Sequence, residues 1–149
     1  MSGATLGARL RTRGWRVTPQ RRAVVDALDG EHVHLTADEV HRRARATLPE
    51  ISLATVYNAL NEMVAMGEVA EVRYTAGPAR YDPNVARTHH HLLCTACGAL
   101  YDVTSRDLDG ATLPETQRRG FEVADVQVLF RGTCPSCTAD VSARPSSGA

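Results

Sequence analysis

Apolar residues recur at helical spacing in the first half of the chain, and each such segment carries its own start or stop signal. The segment from Leu6 to Leu10 predicts a short first helix. Thr18-Pro19 predicts an N-cap followed by proline at the first helical position, and Asp29-Gly30 ends this second helix. The pattern therefore predicts two helices before the first long polar stretch.

The next two predicted helices also have clear boundaries. Thr36 to Glu39 forms a capping box, and apolar positions continue at helical spacing as far as Pro49. Ser52 caps a fourth helix, and Gly67 ends it. One side of this helix is an apolar stripe, and the other side carries small, polar and aromatic side chains. Such a face suits the DNA major groove, because Asn and Thr read base edges and Tyr reaches phosphate. Taken alone, it also fits an ordinary surface helix.

A β-hairpin is predicted directly after the fourth helix. Apolar and polar residues alternate from Glu68 to Thr75, Gly77-Pro78 makes a turn, and Ala79 to Tyr81 returns as a second strand. Helices followed by a hairpin form a winged helix, in which a helix enters the groove and the hairpin touches the flanking DNA backbone. This architecture favours DNA binding over the surface-helix interpretation.

The charge distribution supports DNA as the partner, although the formal net charge is zero. All 17 basic residues are Arg, six of them fall within the first 22 residues, and no acid precedes Asp26. A basic arm of this kind attracts phosphates even when the total charge cancels. The residues predicted to contact double-stranded DNA are Arg13, Arg16, Thr55, Tyr57, Asn58 and Asn61.

The second half of the chain predicts a small sheet with one helix. Strands are expected at His91–Cys94, Leu100–Thr104 and Glu122–Phe130, and a helix around Leu113–Arg119. An unpaired edge of such a sheet invites pairing with a second copy. We therefore expect a homodimer. Its two DNA-binding domains, or reading heads, would match a palindromic operator.

The predicted fold class is α+β, with two domains and a tail. A winged-helix domain covers residues 1–82, and a dimerisation and metal-binding domain with structural zinc covers residues 83–140. Residues 141–149 have little to bury and are predicted to be disordered. The chain has neither an apolar stretch of about 18 residues nor a signal-peptide core, so we expect a soluble cytoplasmic protein without membrane contact.

Two Cys-x-x-Cys pairs indicate a metal more than disulfides in a reducing compartment. The four cysteines are Cys94, Cys97, Cys134 and Cys137. Four thiolates form a closed shell without an open position for water, so we predict a structural Zn²⁺ site. A thioredoxin-like dithiol is the alternative, but it needs a helix N-terminus in a βαβ unit, which neither Cys segment resembles.

Three consecutive histidines, His89 to His91, precede the first Cys pair. In an extended strand the first and third of them point to one face and the second to the other. A solvated His run is the alternative, but further His and Asp residues are available to complete a mixed shell. The predicted regulatory ligands are His34, Asp82, His89, His91 and Asp102. Such ligands favour iron, manganese, nickel or zinc over calcium, and binding across both halves would couple the metal to the reading heads.

These motifs together resemble the ferric uptake regulator family. The resemblance rests on Val17–Arg21, Ala54–Leu60, the His run and the two Cys pairs, in this order from about Arg9 to Cys137. It implies a winged-helix domain, a dimerisation domain, structural zinc and repression of transcription by the metal-loaded dimer. It also implies a regulatory metal between the domains on the five ligands named above.

The resemblance extends to the signal that releases the repressor. Members that sense peroxide carry Asp at both carboxylate positions, here Asp82 and Asp102, and Asn after the Tyr of the reading helix, here Tyr57-Asn58. Members that sense iron tend to carry Glu at both carboxylate positions. The resemblance therefore implies Fe²⁺ or Mn²⁺ as the regulatory ion. It also implies release from DNA when hydrogen peroxide oxidises a ligand, His34 or His89, at bound iron.

Other functions remain open at this point. An iron-responsive repressor of metal-uptake genes, or less readily a nickel- or zinc-responsive one, would use the same fold with reversible occupancy as its signal. The His run also leaves a haem-responsive regulator open. A hydrolytic zinc enzyme needs an open coordination position and a catalytic group, but the chain has no HExxH helix and no separate nucleophile motif. We therefore expect a regulator and not an enzyme.

Overall fold

The computed structural model describes residues 4–30, 34–74, 76–85 and 89–143. Residues 141–143 are described by their backbone alone. The chain divides into an N-terminal unit, residues 1–87, and a C-terminal unit, residues 88–149. The domain boundaries proposed from the sequence, after residues 82 and 140, stay predictions. Within the described residues, no helix has the length and apolar character needed to cross a membrane.

Four helices build most of the N-terminal unit and confirm the predicted ones: α1 at Leu6–Thr12, α2 at Pro19–Leu28, α3 at Ala37–Ala44 and α4 at Leu53–Ala65. Each begins after a hydroxyl that accepts a backbone N–H three residues further on, and Thr36 and Glu39 complete the capping box of α3. α3 ends at Ala44, earlier than predicted, because i→i−3 bonds tighten the next turn. Gly67, with φ +73°, takes the left-handed conformation that follows α4.

Three short antiparallel strands complete the N-terminal unit: β1 at Leu35–Thr36, β2 at Ala70–Val72 and β3 at Arg80–Asp82. β3 lies between the other two, with Tyr81 opposite both Leu35 and Glu71. β2 and β3 confirm the predicted hairpin, although Thr75 lies outside the described residues. β1 was not predicted, because two residues carry no periodicity. The helices and this sheet form a winged helix around an apolar core that includes Leu60.

The C-terminal unit holds a second three-stranded sheet: β4 at His90–Cys94, β5 at Leu100–Val103 and β6 at Leu129–Gly132. Its order is β5-β4-β6, with β5 antiparallel and β6 parallel to β4. The strand predicted at Glu122–Phe130 is wrong in its extent, because the ladder with β4 begins only at Leu129. The N–H of Val128 donates to the side-chain ring of His90 in β4 and not to the backbone of that strand.

The helix predicted around Leu113–Arg119 is also wrong, since this segment contains only a 3₁₀ turn at Glu115–Gln117. Most of the segment is exposed, so it has no apolar face whose burial would stabilise a longer helix. Arg119 and Gly120 both take positive φ and end the turn. A second 3₁₀ turn spans Arg106–Leu108.

One helix of the C-terminal unit was not predicted. α5 runs from Pro135 to Ala143, so the first three residues of the tail predicted to be disordered are helical, and residues 144–149 lie outside the described residues. Cys134 directly precedes α5, so the second Cys pair does open a helix, contrary to expectation. No strand follows α5 in the part of the chain that the structure describes, so the βαβ unit of a dithiol oxidoreductase is not formed there.

Candidate metal centres and nucleic-acid interface

Parallel pairing of β4 with β6 brings the two Cys pairs together. Cys94 ends β4 and Cys134 follows β6, so both pairs lie where neighbouring parallel strands end. The four Sγ atoms lie within 4.8 Å of one another, and those of Cys97 and Cys134 are 3.9 Å apart. Zn–S bonds of about 2.3 Å place tetrahedral thiolates about 3.8 Å apart. The cluster therefore suits a structural zinc.

The electrostatics of the Cys cluster favour a cation. Backbone N–H groups of Cys134, Cys97 and Ala96 lower the pKa of the Cys94 thiol to about 6. The Cys134 nitrogen lies 3.3 Å from the Cys94 Sγ. Hydrogen bonds with the side chains of Cys134 and Cys97 raise the pKa of Cys137 to about 12. Thiols this close oppose one another's ionisation, and a divalent ion among them removes that opposition.

The N-terminal unit holds a buried imidazole–carboxylate pair, His34 and Asp82. The antiparallel register sets Leu35 opposite Tyr81, which brings His34 beside Asp82 at the end of β3. His34 Nδ1 lies 3.8 Å from Asp82 Oδ2, and the side chains are 0% and 2% exposed. Two ligands with bonds of about 2.1 Å lie at most about 4.2 Å apart. The pair therefore fits two ligands of one ion.

The C-terminal unit holds a second group of this kind. His91 lies opposite Asp102 in the ladder between β4 and β5. Asp102 Oδ1 is 3.2 Å from His89 Nε2 and 3.6 Å from His91 Nε2, and all three side chains are at most 8% exposed. The shared face predicted for His89 and His91 is confirmed. Both distances from Asp102 meet the same limit, so the three side chains are candidates for three ligands of one ion.

His90 has a different position from its two neighbours. Its Nδ1 accepts the N–H of Val128 at 3.1 Å, just before β6 begins, and the residue is 5% exposed. This bond holds the entry of β6 against β4, the strand that carries His91. The sequence left His90 without a role, because a run of identical residues does not show which ring bonds to a distant backbone group.

The predicted reading helix presents several of its polar residues to solvent. Tyr57, Asn58 and Asn61 are exposed on α4. Thr55 is half-buried, and its Oγ1 lies 2.9 Å from the Oγ of Ser52, the residue that caps the helix. α4 therefore offers one phenol and two amides to a ligand as large as DNA.

The two arginines proposed as DNA contacts differ in their engagement. Arg16 is exposed. Arg13 donates to the Met66 carbonyl and, at 3.2 Å, to Glu68 Oε1, while 49% of its side chain remains exposed. Arg13 therefore bonds to the segment after α4, and about half of its side chain stays accessible to solvent.

A cluster that the sequence did not predict holds α4 in place. Glu62 Oε2 accepts from Trp15 Nε1 at 2.9 Å and from Arg21 Nη2 at 2.6 Å, and the Arg21 guanidinium lies 4.7 Å from the Trp15 ring centroid. The Trp15 hydrogen bond and the Arg21 charge hold the pKa of Glu62 below its usual value. The cluster ties α4 to the start of α2. Only the lone acid on the polar face of α4 hinted at it.

A family model described as the ferric uptake regulator family matches residues 12–131. The chain belongs to the ferric uptake regulator family. One relative, the ferric uptake regulation protein 1 of Mycolicibacterium fortuitum, is 38% identical over 121 residues, which are 81% of this chain and 74% of that protein. The peroxide-responsive repressor of Staphylococcus epidermidis is 35% identical over 130 residues, 87% of this chain and 86% of that protein.

Two solved structures of regulators share the fold. A zinc-bound manganese uptake regulator matches with a TM-score of 0.72 and 26% identity, covering 88% of this chain and 99% of that one. The Campylobacter jejuni peroxide stress regulator matches with a TM-score of 0.60 and 31% identity, covering 87% and 96%. These findings confirm the expected family and α+β fold. The chain is therefore a metal-responsive transcription regulator of the ferric uptake regulator family.

Proposed function

We propose that this regulator represses transcription as a metal-loaded homodimer and leaves its operator when hydrogen peroxide oxidises a His ligand. The observation that carries the proposal is a buried imidazole–carboxylate group in each unit, His34 with Asp82 and His89 and His91 with Asp102. Buried groups of this kind are typical of ligands and rare on a solvated His run. Both carboxylates are Asp, as in the peroxide-sensing members that the sequence resembles.

Neither buried group completes a coordination shell, because one contributes two ligands and the other three. The family resemblance implies that a single ion takes all five, and we adopt this as the regulatory site. Nitrogen and oxygen donors of intermediate hardness suit Fe²⁺ or Mn²⁺. The four thiolates, by contrast, form the closed tetrahedral shell that structural zinc takes, so we assign Zn²⁺ a structural role there.

The proposed signal consumes one ligand. Bound Fe²⁺ would supply the reducing power that cleaves the O–O bond of hydrogen peroxide. In the net reaction, one carbon of the His34 or His89 ring would gain one oxygen atom of the peroxide and its hydrogen would move to a ring nitrogen, while the other peroxide oxygen leaves as water. The ring supplies both electrons of this reduction, so the iron would regain the electron that it first gave. The altered ring no longer serves as the same ligand, and the metal-loaded form is lost. With Mn²⁺ bound, we expect repression to persist in peroxide.

The proposed DNA contacts are those named from the sequence, with Tyr57, Asn58 and Asn61 on the exposed face of α4 as the groove-reading set.

A row of apolar side chains on the C-terminal sheet supports the proposed homodimer. Leu92 is paired with Tyr101 on one side and Phe130 on the other, and the three are 41%, 50% and 41% exposed. A second copy would remove this row from water and present two reading heads to a palindromic operator.

Iron-responsive repression is the second candidate. The observation that favours it is the 38% identity with a ferric uptake regulation protein, which exceeds the 35% identity with a peroxide-responsive repressor. In this case the metal would leave reversibly when iron is scarce, and no ligand would be oxidised.

One experiment separates the two candidates. The zinc-loaded protein is given Fe²⁺ or Mn²⁺, treated with hydrogen peroxide, and tested on a palindromic DNA selected from random sequence by the Mn²⁺ form. We expect DNA release from the iron form alone, together with one added oxygen in the peptide that contains His34 or His89. Release by chelation with intact rings after peroxide would favour iron sensing. DNA binding that ignores both metals would contradict both candidates.

A further inference from the structure

Two arginines hold the backbone beside the two regulatory ligands of the N-terminal unit. Arg9, on α1, donates through Nη2 to the carbonyl of Pro83 at 2.8 Å, and Pro83 directly follows Asp82. Arg80, on β3, donates through Nη1 to the carbonyl of His34 itself at 2.8 Å. Each contact joins residues far apart in the sequence, so only the folded unit creates it.

The Arg9 contact acts on the turn that orients the Asp82 carboxylate. Asp82 Oδ1 accepts the N–H of Asn84 at 2.8 Å, and Oδ2 is the oxygen that lies 3.8 Å from His34 Nδ1. The Pro83 carbonyl sits inside this Asp82–Asn84 turn. A bond to that carbonyl therefore restrains the turn that decides which carboxylate oxygen faces His34.

Arg9 is itself held on several sides. Its Nε donates to Glu68 Oε2 at 2.7 Å, its Nη2 to the Glu68 carbonyl at 3.1 Å, and its Nη1 to the Ala4 carbonyl at 3.1 Å. Glu68 is linked in turn to α4, since its N–H donates to the Met63 carbonyl at 3.0 Å. Arg9 therefore joins the ligand-bearing turn to α1 and to the end of the reading helix.

Arg80 makes the equivalent connection for His34. Its Nη1 also lies 3.4 Å from Glu39 Oε2, and the same oxygen accepts the N–H of Thr36 at 2.8 Å in the capping box of α3. The main chain of His34 is thus fixed to the start of α3, next to strand β1. At each ligand a guanidinium therefore bonds to a main-chain carbonyl, of His34 itself or of the residue after Asp82, and connects it to a helix.

We infer that Arg9 and Arg80 are positioning residues for the regulatory metal, which act by holding the main chain of Asp82 and His34 in the ligating arrangement. The inference rests on the proposed function. Outer contacts of this kind raise metal affinity, because ligands that are already ordered lose less conformational freedom when the ion binds. Removal of such a contact weakens metal binding about 10- to 100-fold. We expect Arg9→Gln and Arg80→Gln to weaken Mn²⁺ binding by at least about tenfold.

The test measures Mn²⁺ affinity of the zinc-loaded full chain by following free Mn²⁺ with electron paramagnetic resonance. Matched controls remove a nearby charge without removing the carbonyl contacts. Glu68→Gln is the control for Arg9, because Gln keeps a side-chain oxygen for Arg9 Nε and the main-chain carbonyl for Nη2. Arg73→Gln, whose partner is Glu71, is the control for Arg80. We expect both controls to bind Mn²⁺ within about twofold of the unaltered protein, and Glu68→Gln to lower the urea midpoint as much as Arg9→Gln does.

Two results would overturn the inference while leaving the proposed function standing: Mn²⁺ affinity unchanged in Arg9→Gln and Arg80→Gln, or affinity lost equally in Glu68→Gln. In both cases Asp82→Ala would still abolish binding. If the unaltered protein bound no Mn²⁺, or bound it equally well as Asp82→Ala, the regulatory site and the inference would fall together.

Discussion

The two units of the chain are stabilised in different ways. In the N-terminal unit, α1 to α4 and the small sheet enclose a continuous apolar core, in which Leu10, Leu60 and Met63 are 0% exposed. In the C-terminal unit, the buried apolar residues among those that the structure describes are Leu93, Cys94 and Leu100. A sheet with so small a core needs another source of stability.

The C-terminal unit has two such sources in view. One is the four-thiolate cluster, and the other is the exposed row of Leu92, Tyr101 and Phe130, which a second copy would cover. The N-terminal unit needs neither, because its helices bury one another. Zinc therefore acts on the fold of the C-terminal unit, which also carries the proposed ligands His89, His91 and Asp102, whereas His34 and Asp82 lie in a unit that apolar packing stabilises.

The largest expected effect is loss of zinc. Chelation, or Cys97→Ser, should unfold the C-terminal unit and abolish the dimer, because structural zinc contributes on the order of 10 kcal/mol to the folding of small units. Sedimentation and amide NMR spectra would report the loss. Trp15, the single Trp of the chain, lies in the N-terminal unit, so its fluorescence should still show a cooperative urea transition.

Ser136 provides the matched control, since it stands between Cys134 and Cys137 and is exposed. Ser136→Ala should behave as the unaltered protein. If Cys97→Ser also removed the Trp15 transition, the two units would depend on a common source of stability.

A smaller effect is expected from the apolar core. Leu60→Ala should lower the free energy of unfolding reported by Trp15 by about 2–5 kcal/mol, because it leaves a cavity in a fully buried position. Leu92→Ala removes the same atoms from a side chain that is 41% exposed and lies in the other unit. It should leave the Trp15 transition unchanged and weaken only the dimer. Equal effects of both substitutions on Trp15 would contradict this division.

The smallest effect is a pH dependence of the N-terminal unit. Hydrogen bonds and charges from Arg9 and Arg13 hold the pKa of Glu68 below its usual value of 4.5. A carboxyl with a lowered folded-state pKa stabilises the fold fully above its unfolded pKa, and this contribution is lost as pH falls through the folded-state value. The free energy of unfolding reported by Trp15 should therefore decline below about pH 4.5, by an amount typical of ion pairs, about 1 kcal/mol.

Glu68→Gln tests the origin of that decline. The variant should start from a lower midpoint at pH 7 and lose less on acidification. A decline as steep as in the unaltered protein would assign it to other carboxyls, with Glu62 as the first to examine, since Trp15 and Arg21 also lower its pKa.

Local signals in the sequence determined the helices of the N-terminal unit and the candidate ligands. A cap acts over three residues, as at Thr18 and Thr36, so its pattern is visible before any tertiary contact forms. The Cys pairs and the His run likewise declare their chemistry by residue type and spacing. The same reasoning failed at Leu113–Arg119 and Glu122–Phe130, where nothing local showed that the segments lack a partner to bury against.

Only the tertiary structure decided how these signals combine. The parallel pairing of β4 with β6 brings the two Cys pairs to one end of a sheet, and the Val128 N–H bond sets His90 apart from His89 and His91. Arg9 reaches a carbonyl 74 positions away. Such contacts join segments whose separation in the chain carries no pattern, so they arise from the packing of the whole unit and not from the residues on either side.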